Sequence, residues 1–274
     1  MTDLYAVFGN PIAHSRSPDI HTRFAQACAQ DLHYEARLAA VDGFAEAISA
    51  FVASGGKGAN VTVPFKEEAF RLSTRLSDRA QRAGAVNTLI FKGAEIHGDN
   101  TDGAGLVRDI ECNAGLPLAG KRVLLLGAGG ASRGVIAPIL ASGPASLFIA
   151  NRSADKAVAL AGSFSALAAV DGGSFAEIDG RQFDVVINAT SASLSGESLP
   201  LPAGVFAAGA LAYDMMYGKG ETPFLKLARE QGAASCVDGL GMLVEQAAEA
   251  FFIWRGVRPE TGVVLADLRA KLGA

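Results

Sequence analysis

The sequence predicts an α/β fold in two domains, each with a mostly parallel sheet covered by helices. Three observations support this prediction. Short β-branched or apolar segments alternate with stretches of helical periodicity along the whole chain. The 32 glycines and the low aromatic content of 7% suit the many tight turns of such a fold. The length of 274 residues, 50% of them hydrophobic, allows one large domain or two modest ones.

The first half is predicted to alternate strands and helices and to end in a hairpin. We expect strands at 4–10, 33–39 and 58–64, helices at 17–30, 43–56 and 66–74, and a hairpin at 86–102. Ser17 is predicted to cap the first helix, because Pro18 follows at a position where helices tolerate proline. Gly55 and Gly56 end the second helix, and Lys92-Gly93 forms the turn of the hairpin.

The second half follows a more regular pattern. We expect a strand, a glycine turn and a helix at 121–143, strands at 146–153, 183–191, 210–217 and 234–239, and helices at 153–163, 222–232 and 240–255. No Pro/Ser-rich linker separates the halves. The domain boundary is therefore placed near Asp102-Gly103, where the hairpin ends and a new helix begins.

Composition and charge argue against several classes of protein. The net charge of −4 and the lack of a basic tract argue against a nucleic-acid partner. The N-terminus has no basic segment before an apolar stretch, so we expect no signal peptide, and no apolar run is long enough for a membrane span. Cys28, Cys112 and Cys236 are too scattered for a disulfide framework or a zinc site. A reducing cytoplasm is the expected location.

A glycine turn at the start of the second half predicts a dinucleotide site. Gly127, Gly129 and Gly130 follow an apolar strand directly and open a helix. Glycine permits a tight turn and close backbone approach to a pyrophosphate, and the helix N-terminus offers free N–H groups. The third position of the fingerprint holds Ser132 rather than glycine. A purely structural turn is the alternative interpretation.

The end of the next strand indicates which dinucleotide binds. NAD sites usually carry an acidic residue there, whereas this chain has Asn151, Arg152, Ser153 and, one turn later, Lys156. The forked donors of arginine suit a 2′-phosphate. The sequence therefore predicts NADP(H), although a solvent-facing arginine at the start of a helix is the alternative.

Polar residues in the first half cluster at predicted strand ends, where α/β folds bind ligands. They are Ser15, Ser17, Asn60, Thr62, Lys66, Asn87, Asn100, Thr101 and Asp102. Reduction of a ketone requires a proton for the developing alkoxide, and a lysine near a carboxylate can supply it. Lys66 and Asp102 are the candidate pair, but each residue taken alone is better explained as a surface charge, and the sequence does not show that they meet.

Nine segments occur in the order seen in the shikimate dehydrogenases, a family that the chain resembles over nearly its whole length. The segments are GNPIAHSRSP, GANVTVPFK, AGAVNTL, GDNTDG, GAGGAS, NRS, NATSAS, YDMMYGKGETPF and DGLGMLVEQAA. Together they are far more specific than the glycine turn alone. The resemblance implies an oxidoreductase acting on a CH–OH group, which reversibly reduces 3-dehydroshikimate to shikimate with NADPH on the route to aromatic amino acids.

The resemblance also implies residue roles. Lys66 and Asp102 would be the catalytic acid–base pair. Substrate would be bound by Ser15 and Ser17 at its carboxylate, with Tyr217 near that end, and by Asn60, Thr62, Asn87 and Gln246 at its ring hydroxyls. The cofactor would be bound by Gly127, Ala128, Gly129, Gly130 and Ala131 at the pyrophosphate, by Asn151, Arg152 and Ser153 at the 2′-phosphate, and by Thr190, Met215 and Gly239 at the adenine or nicotinamide side. Lys156 stands where many members carry a second arginine, which is expected to weaken NADP preference because lysine cannot pair bidentately. No metal is expected.

In this interpretation residues 1–102 and 239–274 form a substrate domain, and residues 103–238 form a Rossmann-like NADP-binding domain. The substrate is expected between the domains, which close over it. A monomer or a homodimer fits the sequence. A quinate/shikimate dehydrogenase of broader specificity and a cofactor-binding sensor without catalysis are the two alternatives. The Asn151–Ser153 segment argues against the first, and the presence of both Lys66 and Asp102 argues against the second.

Overall fold

The computed structural model describes residues 2–190 and 199–273, which form two compact units. The first unit contains residues 1–105 and 244–264, and the second contains 106–243 and 265–274. The sequence predicted boundaries at 102/103 and 238/239 and placed the whole C-terminal segment in the first domain. The two units differ from this division at residues 103–105, which belong to the first unit, and at residues 239–243 and 265–274, which belong to the second. In the last segment Arg269 pairs with Asp238 of the second unit at 2.6 Å.

The first unit is built on a six-stranded mixed sheet. Its strands are β1 (Asp3–Gly9), β2 (Leu32–Leu38), β3 (Gly56–Val61), β4 (Arg75–Leu76), β5 (Thr88–Lys92) and β6 (Glu95–Asp99), in the spatial order β2-β1-β3-β5-β6-β4. β1 pairs in parallel with both β2 and β3, and β5 is antiparallel to β3 and β6. This arrangement brings the start of β5 beside the end of β3, because antiparallel neighbours run in opposite directions.

Helices cover the sheet of the first unit. They are α1 (Ser17–Ala27), α2 (Phe44–Ala53), α3 (Lys66–Leu72), α4 (Asp78–Ala83), the start of α5 (Asp102–Arg108) and most of α9 (Leu240–Arg255). On one side Phe8 packs edge-on against Phe44 and Phe51, and Phe44 stacks on Phe65. Phe65 is the residue immediately before α3, so this aromatic core includes the turn that leads from β3 to α3.

The second unit has an all-parallel six-stranded sheet, as expected for a Rossmann-like domain. Its strands are β7 (Arg122–Leu126), β8 (Ser146–Ala150), β9 (Val170–Gly173), β10 (Phe183–Asn188), β11 (Phe206–Asp214) and β12 (Ser235–Asp238), in the order β12-β11-β10-β7-β8-β9. Residues 123–126 of β7 are fully buried, since helices cover both faces of such a sheet. Further helices are α6 (Gly130–Ala141), α7 (Ala154–Gly162), α8 (Pro223–Glu230) and α10 (Gly262–Leu272).

Several elements were not predicted from the sequence. β4 has only two residues and β9 is half glycine, so neither shows a clear periodicity. α10 was missed because the helix at 240–255 was predicted to be the last one. The predicted cap is also wrong: Ser17 is the first helical residue of α1 and Arg16 occupies the cap position. The hydroxyl of Ser15 takes the capping role, because its Oγ accepts the Ser17 N–H at 3.3 Å.

The predicted strand at 183–191 ends in the structure at Asn188, and Ser191, with the remainder of the NATSAS segment, lies outside the described residues. In the described part of the chain, no helix has both the length and the apolar character needed to cross a membrane.

Candidate active site

Lys66 and Asp102 form a direct ion pair in the first unit. Lys66 Nζ donates to Asp102 Oδ2 at 2.6 Å, and the two side chains are 31% and 18% exposed. Each is the first residue of its helix, α3 and α5. A helix N-terminus favours the carboxylate and disfavours the ammonium group, so Asp102 compensates for the position of Lys66. Among residues 2–190 and 199–273, no second group accepts a hydrogen bond from Lys66 Nζ. The remaining N–H groups of this cation are therefore available to a ligand.

Asn87 holds the second oxygen of this carboxylate. Its Nδ2 donates to Asp102 Oδ1 at 2.8 Å. Its Oδ1 accepts the Thr101 N–H at 2.9 Å and the Thr88 hydroxyl at 2.9 Å. The Thr101 N–H can only donate, and a flipped Asn87 amide would place its own NH2 against it. This donor therefore determines which way the Asn87 amide faces. Asp102 therefore receives hydrogen bonds on both oxygens, one from Lys66 and one from Asn87.

Gln246 joins this cluster from a distant part of the chain. Its Oε1 accepts from Asn87 Nδ2 at 3.4 Å and from Thr101 Oγ1 at 3.3 Å. α9 carries it within the first unit, as the resemblance implied for the end of the chain. Four predicted site residues, Lys66, Asn87, Asp102 and Gln246, thus lie in one hydrogen-bonded cluster.

Asn60 lies below this cluster and is 6% exposed. Its Oδ1 accepts the Tyr34 hydroxyl at 2.7 Å, and its Nδ2 donates to the Asn87 carbonyl at 3.1 Å and to Thr88 Oγ1 at 3.2 Å. Both polar atoms of Asn60 are therefore engaged by protein groups. Asn60 was expected to bind substrate, and in the structure its amide bonds to Tyr34, Asn87 and Thr88.

The serine loop occupies the turn after β1. Ser15 is half-buried and Ser17 is 8% exposed. The Asn10 N–H donates to the Val63 carbonyl at 3.1 Å, which ties this loop to the loop that follows β3. Thr62 lies in that second loop, where its N–H donates to the Phe8 carbonyl at 2.9 Å. The predicted carboxylate-binding hydroxyls and Thr62 are thus presented by two loops that are hydrogen-bonded to each other.

The glycine turn of the second unit has the shape of a pyrophosphate cradle. Gly127 has φ +106°, and a Cβ added there would meet Thr190 Cγ2 at 3.0 Å. A Cβ at Gly129 or Gly130 would meet no heavy atom within 4 Å, so the described residues leave open space above these positions. Ser132 Oγ is buried and has no hydrogen-bond partner among the described residues. An approachable backbone and an unsatisfied hydroxyl at a helix N-terminus suit a phosphate group.

The residues predicted for the 2′-phosphate follow β8 directly. Arg152, Ser153 and Lys156 are exposed at the start of α7. Asn151 is held in place because its N–H donates to the Gly173 carbonyl and its Nδ2 donates to the Ser153 carbonyl, each at 3.0 Å. Two cations with exposed side chains are therefore available at this turn to bind an anion.

A buried carboxylate, which the sequence analysis did not identify, supports the remaining cofactor-side residues. Asp214 ends β11 and is fully buried. It accepts from Asn188 Nδ2 at 3.1 Å and from the Thr222 hydroxyl at 2.6 Å. Asn188 Oδ1 in turn accepts the Thr190 hydroxyl at 2.7 Å. The charge is satisfied by several donors, as buried charges require.

The carboxyl ends of β11 and β12 in the second unit are followed by Met215, Tyr217 and Gly239. A Cβ on Gly239 would lie 2.2 Å from the Met215 carbonyl oxygen, so the two chain segments touch and only glycine fits. Tyr217 belongs to the segment between β11 and α8, within the second unit. In the described parts of the chain, no group of three or more His, Cys, Asp or Glu side chains is placed to hold a metal ion.

Family models match three parts of the chain. A shikimate dehydrogenase substrate-binding domain matches residues 7–89, a shikimate/quinate 5-dehydrogenase model matches 111–195, and a shikimate 5′-dehydrogenase C-terminal domain matches 239–269. These segments contain most of the predicted site residues, including Lys66, Arg152 and Gln246.

Relatives and solved structures agree with these matches over the full length. The chain is 77% identical over 274 residues to a shikimate dehydrogenase (NADP(+)) of Dechloromonas aromatica (strain RCB), with 100% of both chains covered. It superposes with TM-score 0.93 on the Ael1 enzyme from Pseudomonas putida, at 52% identity and with 97% and 98% of the two chains covered. Shikimate 5-dehydrogenase from Thermus thermophilus, in complex with NADP(H) and shikimate, superposes with TM-score 0.87 at 31% identity, with 99% and 100% covered. The chain belongs to the shikimate dehydrogenase family.

Proposed function

We propose that the protein is an NADP-dependent shikimate dehydrogenase, which interconverts 3-dehydroshikimate and shikimate. The observation that carries the proposal is the ion pair of Lys66 and Asp102, whose Nζ and Oδ2 atoms lie 2.6 Å apart within a cluster of amides and hydroxyls. The similarity of the whole chain to a relative named shikimate dehydrogenase (NADP(+)) supports the same reaction. The expected product feeds the route to aromatic amino acids.

The reaction adds a hydride to a carbonyl carbon and a proton to the carbonyl oxygen. NADPH, when bound, supplies the hydride. Lys66 donates the proton from one of the N–H groups that Asp102 does not occupy, and in the reverse direction it takes the proton back. Asp102 keeps the ammonium group in place, and Asn87 holds Asp102 by its other oxygen. A proton donor positioned in this way contributes roughly 10²–10⁴-fold to the rate.

The polar groups around this pair suit the other parts of the substrate. Ser15 and Ser17 offer hydroxyl donors to a carboxylate from the turn after β1. Thr62, Asn87 and Gln246 offer donors and acceptors to ring hydroxyls. In this scheme Asn60 supports Asn87 from behind the site, because its polar atoms already bond to Tyr34, Asn87 and Thr88.

The residues of the second unit suit NADP(H) rather than NAD(H). The backbone of residues 127–131 and the Ser132 hydroxyl would hold the pyrophosphate, because the turn is open above Gly129 and Gly130. Asn151, Arg152, Ser153 and Lys156 would hold the 2′-phosphate. No acidic side chain occupies positions 151–153, where a ribose-binding carboxylate would stand in an NAD site.

The proposal is tested by the absorbance of reduced nicotinamide with the purified protein, shikimate, and NADP+ or NAD+ in parallel. We expect rapid reduction of NADP+ and a kcat/KM at least tenfold lower with NAD+. Comparable values with both cofactors, together with turnover of quinate, would assign the chain to the broader-specificity relatives. Binding of NADPH without turnover of either substrate would show a sensor instead. Cytoplasmic location and a monomer or homodimer stay predictions from the sequence.

A further inference from the structure

Tyr34 is a buried polar residue that the proposed mechanism does not use. It lies on β2 and is 4% exposed. Its ring stacks on the fully buried His21, with ring centroids 4.2 Å apart and planes inclined by 7°. Its hydroxyl donates to Asn60 Oδ1 at 2.7 Å. This phenol therefore bonds directly to a residue that lies below the ion pair.

The direction of the Tyr34 hydrogen bond is determined by the groups around Asn60. Asn60 Nδ2 faces the main-chain carbonyl of Asn87 at 3.1 Å, which can only accept. Asn60 Oδ1 must then face Tyr34, and the phenol must donate. Burial raises the pKa of Tyr34 well above its usual value of 10.0, so the phenol keeps its proton at physiological pH.

The same direction continues to Asp102. Thr88 Oγ1 accepts from Asn60 Nδ2 at 3.2 Å and therefore donates its own proton to Asn87 Oδ1 at 2.9 Å. With its oxygen engaged, Asn87 presents its NH2 group to Asp102 Oδ1 at 2.8 Å. Tyr34, Asn60, Thr88, Asn87 and Asp102 thus form a hydrogen-bonded chain whose two amides are oriented by main-chain groups, the Asn87 carbonyl and the Thr101 N–H; we call it the Tyr34–Asp102 chain.

We propose that Tyr34 is a positioning residue: by engaging the Asn60 oxygen it holds Asn60 against Thr88 and the Asn87 carbonyl, and so supports the geometry of the Lys66–Asp102 pair. The inference rests on the proposed function and adds a residue to it that touches neither substrate nor cofactor. Misplacement of a catalytic group by about 1 Å can cost on the order of 10² in rate, so this support has kinetic weight.

Removal of the hydroxyl should affect turnover more than binding. In Tyr34→Phe the Asn60 oxygen loses its phenol donor, so Asn60 is held less firmly against Thr88 and the Asn87 carbonyl. We expect kcat to fall about tenfold, while KM for shikimate and for NADP+ stays within about twofold because Ser15 and the second unit are untouched. The midpoint of thermal unfolding should fall by about 2–4 °C, as for any lost buried hydrogen bond.

Tyr5→Phe is the matched control. Tyr5 is also a buried tyrosine of the first unit, 3% exposed, and its ring packs on Trp254 at 4.7 Å. Its hydroxyl lies beside Arg255 and not beside any residue of the Tyr34–Asp102 chain. We expect a similar loss of thermal stability and an unchanged kcat. A fall in kcat that is equal in the two variants would overturn the proposal, because it would reflect stability alone.

A double-mutant cycle tests whether Tyr34 acts through Asn60. Once Asn60→Ala has removed the link, adding Tyr34→Phe should lower kcat by less than twofold further, because the two effects share one path. Independent effects that multiply in the double variant would contradict the proposal. So would a kcat of Tyr34→Phe within twofold of the wild-type value.

A readout without turnover separates this proposal from the proposed function. The side-chain NH2 of Asn87 is hydrogen-bonded and 3% exposed, so its NMR signals should exchange slowly with solvent. Exchange at least tenfold faster in Tyr34→Phe but not in Tyr5→Phe supports the positioning role, even if the wild-type protein fails to oxidise shikimate. Unchanged exchange in Tyr34→Phe overturns it, whatever the wild-type activity is.

Discussion

Lys66 Nζ and Asp102 Oδ2 lie 2.6 Å apart although 36 residues separate them along the chain. The contact forms because α3 and α5 each begin at the same region of the first unit, the first after β3 and the second after β6. Neither side chain is deeply buried, so the pair contributes little to stability, about 0–1 kcal/mol. Its geometry is therefore better explained by chemistry than by folding.

Lys66→Ala should lower kcat by roughly two or more decades, because it removes the general acid. Shikimate binding should be largely retained, since the remaining polar groups of the site are untouched. Steady-state kinetics and calorimetric titration of shikimate measure the two effects. Lys57→Ala is the control, because Lys57 is an exposed lysine on β3 of the same unit. Near-normal turnover of Lys66→Ala would show that another group donates the proton.

Ser15→Ala should raise KM for shikimate about tenfold or more, the cost of one hydrogen bond to a charged group, and change kcat by less than about threefold. The reason is that a hydrogen bond from the Ser15 hydroxyl to the substrate carboxylate stabilises the ground state and the transition state equally. Ser49→Ala removes a hydroxyl from the exposed face of α2, where Ser49 Oγ bonds its own helix, and should change neither constant. A large fall in kcat at constant KM for Ser15→Ala would exclude simple carboxylate binding.

Arg152→Ala should lower kcat/KM for NADP+ by about 30-fold, since a charge-assisted phosphate contact is worth about 2 kcal/mol, and leave the value for NAD+ within about threefold. Lys156→Arg should raise the preference for NADP+, because arginine binds phosphate bidentately. Lys226→Ala is the control, since Lys226 is an exposed cation on α8 of the same unit. Equal losses with the two cofactors in Arg152→Ala would place the arginine away from the 2′-phosphate.

His21 should make the first unit sensitive to acid. Burial lowers the pKa of His21 from 6.5 to about 3, and the nearby Asn60 opposes this only in part. A histidine that is neutral in the folded state contributes its full stability above pH 6.5, and the contribution is lost as pH falls from there to about 3. The slope is about 1.4 kcal/mol per pH unit, because the unfolded chain binds one more proton.

His21→Phe keeps an aromatic ring on Tyr34 and removes this proton. The difference in free energy of unfolding between wild type and variant should change by about 2 kcal/mol between about pH 7 and about pH 5. Urea titrations followed by the fluorescence of Trp254, the single tryptophan of the chain, report on the first unit. His33→Gln should leave the pH dependence unchanged, because the His33 side chain is 61% exposed. Parallel pH profiles for wild type and His21→Phe would refute the expectation.

The alternation of strands and helices in the sequence predicted the fold class correctly. The segment from β7 through Gly127 to α6 illustrates why: a buried apolar strand, a residue at φ +106° and a helix N-terminus are all specified by neighbouring residues. β4 and β9 escaped prediction because two residues, or four with two glycines, carry no periodicity of their own. They exist only because neighbouring strands pair with them.

By itself the sequence determined the local chemistry: the open glycine turn, the cations after β8, and the family to which the segments belong. Only the tertiary structure decided which groups meet. It joined Lys66 to Asp102, and it joined Asn60 to Tyr34, a contact that no local pattern predicts. The physical reason is that backbone conformation depends on near neighbours. Side-chain partners, in contrast, depend on the order of strands in the sheet, where β3 lies between β1 and the antiparallel β5.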